Sequence, residues 1–296
     1  MPTVCILMSV FNGHQYIDEQ IKSLLGQTDV DLRILVRDDG STDGTQNILD
    51  KWKSEIDLDW YSGNNLGPAR SFLDLVKNAP VADYYAFCDQ DDWWMPEKLA
   101  VAVKALSSLE GPALYCSNFQ LADALLNPIP TVFHDPVISL PSFLVSNFVT
   151  GCTEVMNKKF TDILKGCDPD FLMMHDSWTA KACLAIGGNV IFDVEPHILY
   201  RQHGSNVIGG ESHPWLKFRR RISSFFHPSR PRYREAMSIK YSFGGIIPSV
   251  NSDLLEALEG YYTKSLFYRI RLAKRFVSGD DPRKRLILWA FVLKQF

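Results

Sequence analysis

The stretch Leu32-Arg33-Ile34-Leu35-Val36-Arg37-Asp38-Asp39-Gly40-Ser41-Thr42-Asp43-Gly44 decides the fold. An apolar run of strand length breaks at a polar turn, and Ile48, Leu49 and Trp52 then recur at helical spacing. Thr42 or Asp43 is expected to cap that helix. The same rhythm recurs on either side. Thr3 to Val10 is an apolar run closed by Phe11-Asn12-Gly13, and Tyr16, Ile17, Ile21, Leu24 and Leu25 follow at helical spacing. Leu58 to Tyr61 reads as a third strand, Ala69 to Asn78 as a helix and Tyr84 to Cys88 as a fourth strand. Pro96 suits the first turn of a helix carrying Leu99, Val103 and Leu106, and Ala113 to Ser117 reads as a fifth strand. Short apolar strands alternating with helices predict an α/β fold, a mainly parallel sheet with helices on both faces.

From Asn118 onward the rhythm weakens, with Pro128, Pro130, Pro136 and Pro141 breaking a stretch expected to fold over the carboxyl edge of the sheet. Asp176 to Ile186 reads as a helix, Val190 to Val194 as a strand and Tyr200 to Gly210 as a polar loop. With 296 residues and 46% hydrophobic content, the chain can bury a large core and is not a disordered one. No run of 18 apolar residues predicts a membrane-spanning helix, and Met1 to Phe11 lacks the basic start and cleavage site of a signal peptide. Six cysteines scattered without a C-x-x-C pair suit reduced thiols in a cytosol.

The net charge of -3 conceals an asymmetry: residues 1–215 hold 14 Lys/Arg against 28 Asp/Glu, and residues 216–296 hold 17 against 6. The expected division is therefore a catalytic domain over 1–215 and a basic, aromatic-rich helical extension over 216–296. In the extension Lys217 to Arg221, Phe225 and Phe226, and later Arg269, Arg271, Lys274 and Arg275 among Leu266, Phe267 and Ile270, read as an interfacial amphipathic segment. Arg283-Lys284-Arg285 ahead of Leu286 to Leu293 repeats that pattern. An anionic membrane surface is the expected partner, placing the protein in the cytoplasm, peripheral on the inner face of the cell membrane. Helices packed on the catalytic domain with a solvated basic face are the other reading. No motif favours nucleic acid.

Two acidic clusters follow strands. Phe87-Cys88-Asp89-Gln90-Asp91-Asp92-Trp93-Trp94 ends an apolar strand in three carboxylates within four positions. Their repulsion calls for a cation, and a hard divalent ion bridging two phosphates supplies it. Arg37 to Gly44 carries the second cluster, and both should lie at the carboxyl edge of the sheet, where open α/β sheets bind ligands. Without G-x-G-x-x-G or a Walker lysine, dehydrogenases and P-loop enzymes are disfavoured.

These segments together resemble the family 2 glycosyltransferases, inverting enzymes with the Rossmann-like GT-A fold. The resemblance runs through Val10-Phe11-Asn12-Gly13, Ser23 to Thr28, Arg37 to Thr45, Asn65-Leu66-Gly67 and Asp89 to Leu99, then Gly151, His175-Asp176 and Tyr200 to Asn206. The Asp-Gln-Asp-Asp-x-Trp run, the His-Asp pair and the Tyr-Arg-Gln-His-Gly segment look most like rhamnosyltransferase-type members of surface polysaccharide synthesis. No Gln-x-x-Arg-Trp motif of the processive synthases is present.

The resemblance implies a nucleotide-sugar donor, a dTDP- or UDP-sugar, held by Phe11, Asn12, Asp39, Asn65, Arg70, Asp89 and Gln90. It implies a metal, Mn2+ or Mg2+, on Asp91 and Asp89 with His203 joining. Asp176 is the implied general base, and Asp92, Trp93, Gly151 and His175 the implied contacts to a glycan or polyprenyl-diphosphate-linked acceptor. A sugar hydroxyl is a poor nucleophile near neutral pH, so such a base is needed. Asp176 is also expected to cap the helix that follows. The competing readings are a nucleotidyltransferase, which generally needs a basic phosphate loop that Phe11-Asn12-Gly13-His14 does not provide, and a catalytically inactive membrane-associated scaffold.

Overall fold

The computed structural model describes residues 1–203, 230–277 and 284–296. The boundary expected near 215, the Lys217 to Phe226 stretch, Gly204 to Asn206 and Arg283 lie outside the described residues. The elements run β1 (Thr3–Val10), α1 (Ile17–Leu25), β2 (Asp31–Asp38), α2 (Thr45–Lys53), β3 (Leu58–Ser62), α3 (Pro68–Asn78), β4 (Tyr84–Cys88), β5 (Trp93–Trp94) and α4 (Lys98–Leu106). They continue β6 (Ala113–Ala122), α5 (Leu140–Val145), β7 (Val155–Asn157), α6 (Lys158–Lys165), α7 (His175–Ala185) and β8 (Asn189–Arg201). Four helices follow, α8 (Pro231–Phe243), α9 (Ser249–Leu258), α10 (Leu266–Ala273) and α11 (Lys284–Val292).

The strands form one sheet in the order β3-β2-β1-β4-β7-β6-β8-β5. β1 to β4 are mutually parallel, β6 and β8 are parallel, and β7 and β5 run against their neighbours. The central strand β1 shows why both faces are covered. Cys5 and Leu7 point into one core while Val4, Ile6, Met8 and Val10 point into the other, the alternation that a period of two imposes. The first core also holds Trp178 of α7, Ala236 and Ile239 of α8, Leu255 of α9 and Phe291 of α11. The basic C-terminal helices therefore bury their apolar faces on the same core as the sheet.

Three local expectations need correcting. Tyr200 and Arg201 end a long β8 rather than opening a loop, because β6 extends to Ala122 and pairs with them. Gly44, at φ +92°, precedes α2 where Thr42 or Asp43 was expected to cap it; Asp43 Oδ1 instead accepts the Thr45 N–H at 3.0 Å. Asp176 is not the cap of α7, which begins at His175 after an extended Met174, so its carboxylate lies inside the first turn. Strands β5 and β7, of two and three residues, are too short to leave a periodic signal.

Candidate active site

Because β1, β2 and β4 are parallel and in register, Val10 beside Asp38 and Met8 beside Cys88, the segments leaving their carboxyl ends emerge side by side. Side chains then join them. Gln90 Oε1 accepts the Phe11 N–H at 2.9 Å and its Nε2 donates to the Phe11 carbonyl at 3.2 Å. A Cβ on Gly13 would stand 2.5 Å from Gln90 Oε1, so only glycine admits this contact. Asn12, at φ +50°, donates its N–H to Ser41 Oγ and accepts the Thr42 N–H. Phe11 is left exposed beside this junction.

Asp39 is buried and paired with Arg37, and its oxygens accept the N–H groups of Leu66 and Gly67, each at 2.9 Å. Its carboxylate thus holds the Asn65-Leu66-Gly67 loop beside the cleft. Arg70, in the first turn of α3, donates to the Pro169 carbonyl at 2.8 Å and so tethers the segment that leads to Asp176.

The acidic centre forms where β4 ends. Asp91 Oδ2 lies 2.8 Å from Nε2 of His203, delivered by the chain leaving β8. Burial, then the charges of Asp91 and of Asp176, push the Asp89 carboxyl up to about 7. Asp176 comes from α7, far along the chain, yet its charge is felt at Asp89. Asp176 is itself pushed up to about 6 by burial, against hydrogen bonding from the Ser177 N–H and the Asn147 side chain. Crowded carboxylates suit a hard divalent cation, and His203 beside Asp91 would add one nitrogen donor.

Asp92 lies below this centre, with Cys152 and Lys98. One oxygen each from Asp89 and Asp92 and the Cys152 sulfur fall within 4.8 Å of one another. Cys152 does not suit a hard cation, because burial pushes its thiol up and keeps it protonated. Asp92 is buried and accepts the Arg201 N–H at 3.2 Å, and Lys98 is buried with its ammonium 3.4 Å from the Trp94 ring centroid. Asp92 is thus a buried carboxylate with one oxygen engaged by the Arg201 amide. Trp93, in β5, pairs with Leu199 and is half-buried.

His175 opens α7 beside Asp176. It is buried, its ring stacks on Phe72 at 3.9 Å, and burial lowers it to about 3, so the imidazole is neutral. Gly151 makes room for it, since a Cβ there would stand 2.2 Å from His175 Nε2. Gly151→Ala is therefore expected to push His175, and with it Asp176, out of place. A stability loss of about 1–3 kcal/mol in denaturant unfolding, with a lower kcat, is the expected result.

Sequence reasoning missed several supports. Arg201 donates to the Asp91 carbonyl at 2.8 Å and pairs with Glu19 at 2.5 Å, and Tyr16 stacks on His203 at 4.5 Å. Glu154 is wholly buried, its carboxyl held up by burial and by the charge of Asp176, and its Oε2 lies 2.6 Å from Thr179 Oγ1. No local pattern marks these residues. Arg201 alone stood within a quoted motif.

Residues 5–123 match the family model described as Glycosyl transferase family 2. These residues form a family 2 glycosyltransferase domain. Over 235 residues the glycosyltransferase is 29% identical to the dTDP-rhamnosyl transferase RfbG of Shigella flexneri, covering 72% of this chain and 77% of that one. It is 31% identical over 110 residues to the abequosyltransferase RfbV of Salmonella typhimurium, covering 36% and 33%. Among solved structures, S. aureus TarS 1-349 in complex with UDP-GlcNAc superposes with a TM-score of 0.61 at 15% identity, covering 99% of this chain and 89% of that one. The mannosyltransferase PcManGT from Pyrobaculum calidifontis, in complex with GDP-Man and Mn2+, does so at 0.52 and 15%, covering 99% and 87%. These likenesses establish the GT-A fold of the glycosyltransferase.

Proposed function

We propose that this glycosyltransferase moves a sugar, rhamnose being the first candidate, from a dTDP- or UDP-sugar to a hydroxyl of a glycan or lipid-linked acceptor in surface polysaccharide synthesis, with inversion. The observation that carries this reading is that His203 Nε2 lies 2.8 Å from Asp91 Oδ2 across 112 positions, at the strand tip where Asp176 comes near enough for its charge to raise the Asp89 carboxyl. Phe11, Asn12 and Asn65 would flank the nucleoside, with Asp39 fixing the loop beside it. Asp91, Asp89 and His203 would hold the divalent ion, which when bound offsets charge on the departing diphosphate.

Asp176 accepts the proton of the acceptor hydroxyl as its oxygen bonds to the anomeric carbon. The bond from that carbon to the diphosphate breaks, and the electron pair leaves with the nucleoside diphosphate. One base with direct displacement inverts the centre. A panel of nucleotide sugars with Mn2+ and crude lipid acceptor tests this by release of nucleoside diphosphate. If every donor stays intact, the catalytic reading fails.

The acceptor side of the proposal includes attachment to an anionic membrane. No helix among the described residues is long and apolar enough to cross a bilayer. Leu286 and Trp289 of α11 and Leu293 just beyond its end are exposed, and Phe267 of α10 is 77% exposed. Residues 261–277 and 284–296 contain eight Lys/Arg and no acid. Apolar anchors ringed by cations suit an anionic lipid surface. The full chain is expected to sediment with phosphatidylglycerol vesicles and Trp289→Glu to lose most of that binding. Equal recovery of the two proteins would refute the attachment.

A further inference from the structure

Glu235 is wholly buried on α8, 59 positions after Asp176, yet it makes its contacts with the segment that presents Asp176. Residues 167–174 have no helix or strand of their own, so their amide groups need outside partners. Glu235 Oε1 accepts the Met173 N–H at 3.0 Å. Its other oxygen accepts the Ser177 hydroxyl at 3.3 Å and pairs with the Lys181 ammonium, which itself donates to Ser177 Oγ at 2.6 Å. One turn along α8, Ser238 Oγ accepts the Phe171 N–H at 3.3 Å, and the Arg234 guanidinium lies 4.0 Å from the Phe171 ring centroid. A single carboxylate thus grips the chain three residues before Asp176 and again one and five residues after it.

We infer that Glu235 is the positioning residue for Asp176, and that the C-terminal region completes the catalytic site by clamping the base into the cleft. This rests on the reading of Asp176 as the base. Buried charge is costly unless paired, and here the pair spans the two parts of the chain whose relative placement sets the base. A base displaced by about 1 Å can lose on the order of 10²-fold in rate. The metal side of the cleft, built from β1, β2, β4 and β8, does not touch α8 through these contacts, so donor binding should be spared.

The test is Glu235→Gln in the full chain, measured beside Asp176→Asn. Glutamine keeps a carbonyl for the Met173 N–H but sets an amide N–H2 against Lys181 and Ser177. The expected result is a kcat lower by about 10- to 100-fold, with donor KM and calorimetric binding of nucleoside diphosphate with Mn2+ changed less than about twofold. Should that variant not fold, Glu235→Gln with Lys181→Met removes the orphaned ammonium and carries the same expectation. A kcat within twofold of the parent, or donor affinity falling as far as kcat, overturns the clamp. An Asp176→Asn variant of full activity removes the reading beneath it; an inactive one beside an unimpaired Glu235→Gln removes the clamp alone.

Discussion

Asp176→Asn is expected to lower kcat by about 10²- to 10⁴-fold, equivalent to about 3–5.5 kcal/mol of barrier, while leaving donor affinity unchanged. Asparagine keeps the shape of the first turn of α7, so the Ser177 N–H still has an oxygen to meet. What it lacks is a basic oxygen to accept a proton. The parent protein adds a second signature. Burial pushes Asp176 up to about 6, and only its ionised form is a base, so kcat should fall as pH drops through about 6. The variant's residual rate should show no such limb. A residual rate within tenfold of the parent would mean that the acceptor proton goes elsewhere.

Asp91→Asn is expected to abolish stabilisation by Mn2+ and to lower kcat/KM by about 10²-fold or more, since in the proposed mechanism Asp91 is a charged ligand of the cation that offsets the leaving diphosphate. The pH dependence follows from Asp89, pushed up from 3.8 to about 7. A carboxyl raised on folding favours the fold while protonated. Without metal, stability should therefore decline as pH rises from about 4 to about 7. Protons and the cation compete for the same oxygens, so the Tm gain from Mn2+ should grow over the same interval. Differential scanning at pH 5 and pH 7.5, with and without Mn2+, reads both effects. An equal Mn2+ shift in Asp91→Asn and the parent would place the ion elsewhere.

These expectations depend on residues of very different legibility. Asp89 and Asp91 stand at the end of the apolar run Tyr84 to Cys88, and Arg37 to Gly44 at the end of another, so a parallel sheet was bound to bring them to one edge. His203 and Asp176 were visible as motif members. Neither motif shows that His203 reaches Asp91 or that Asp176 lies inside a first turn. Asp92 and His175 border Asp91 and Asp176 in the motifs, but neither period nor spacing says that both side chains are buried. Asp92 turns inward to the Arg201 amide and His175 inward to Phe72.

By itself, the sequence determined the alternation of strands and helices, the two-sided core and the acidic strand ends, because each follows from the local period of apolar side chains and from turn residues a few positions apart. Only the tertiary structure decided the antiparallel insertions β5 and β7, the extension of β8 to Arg201, the pairing of Glu235 with Lys181 and the packing of the basic helices on the first core. Those features are contacts between residues tens to more than a hundred positions apart. Their free energy comes from burial and pairing that exist only once the chain has closed on itself, so no local pattern can record them.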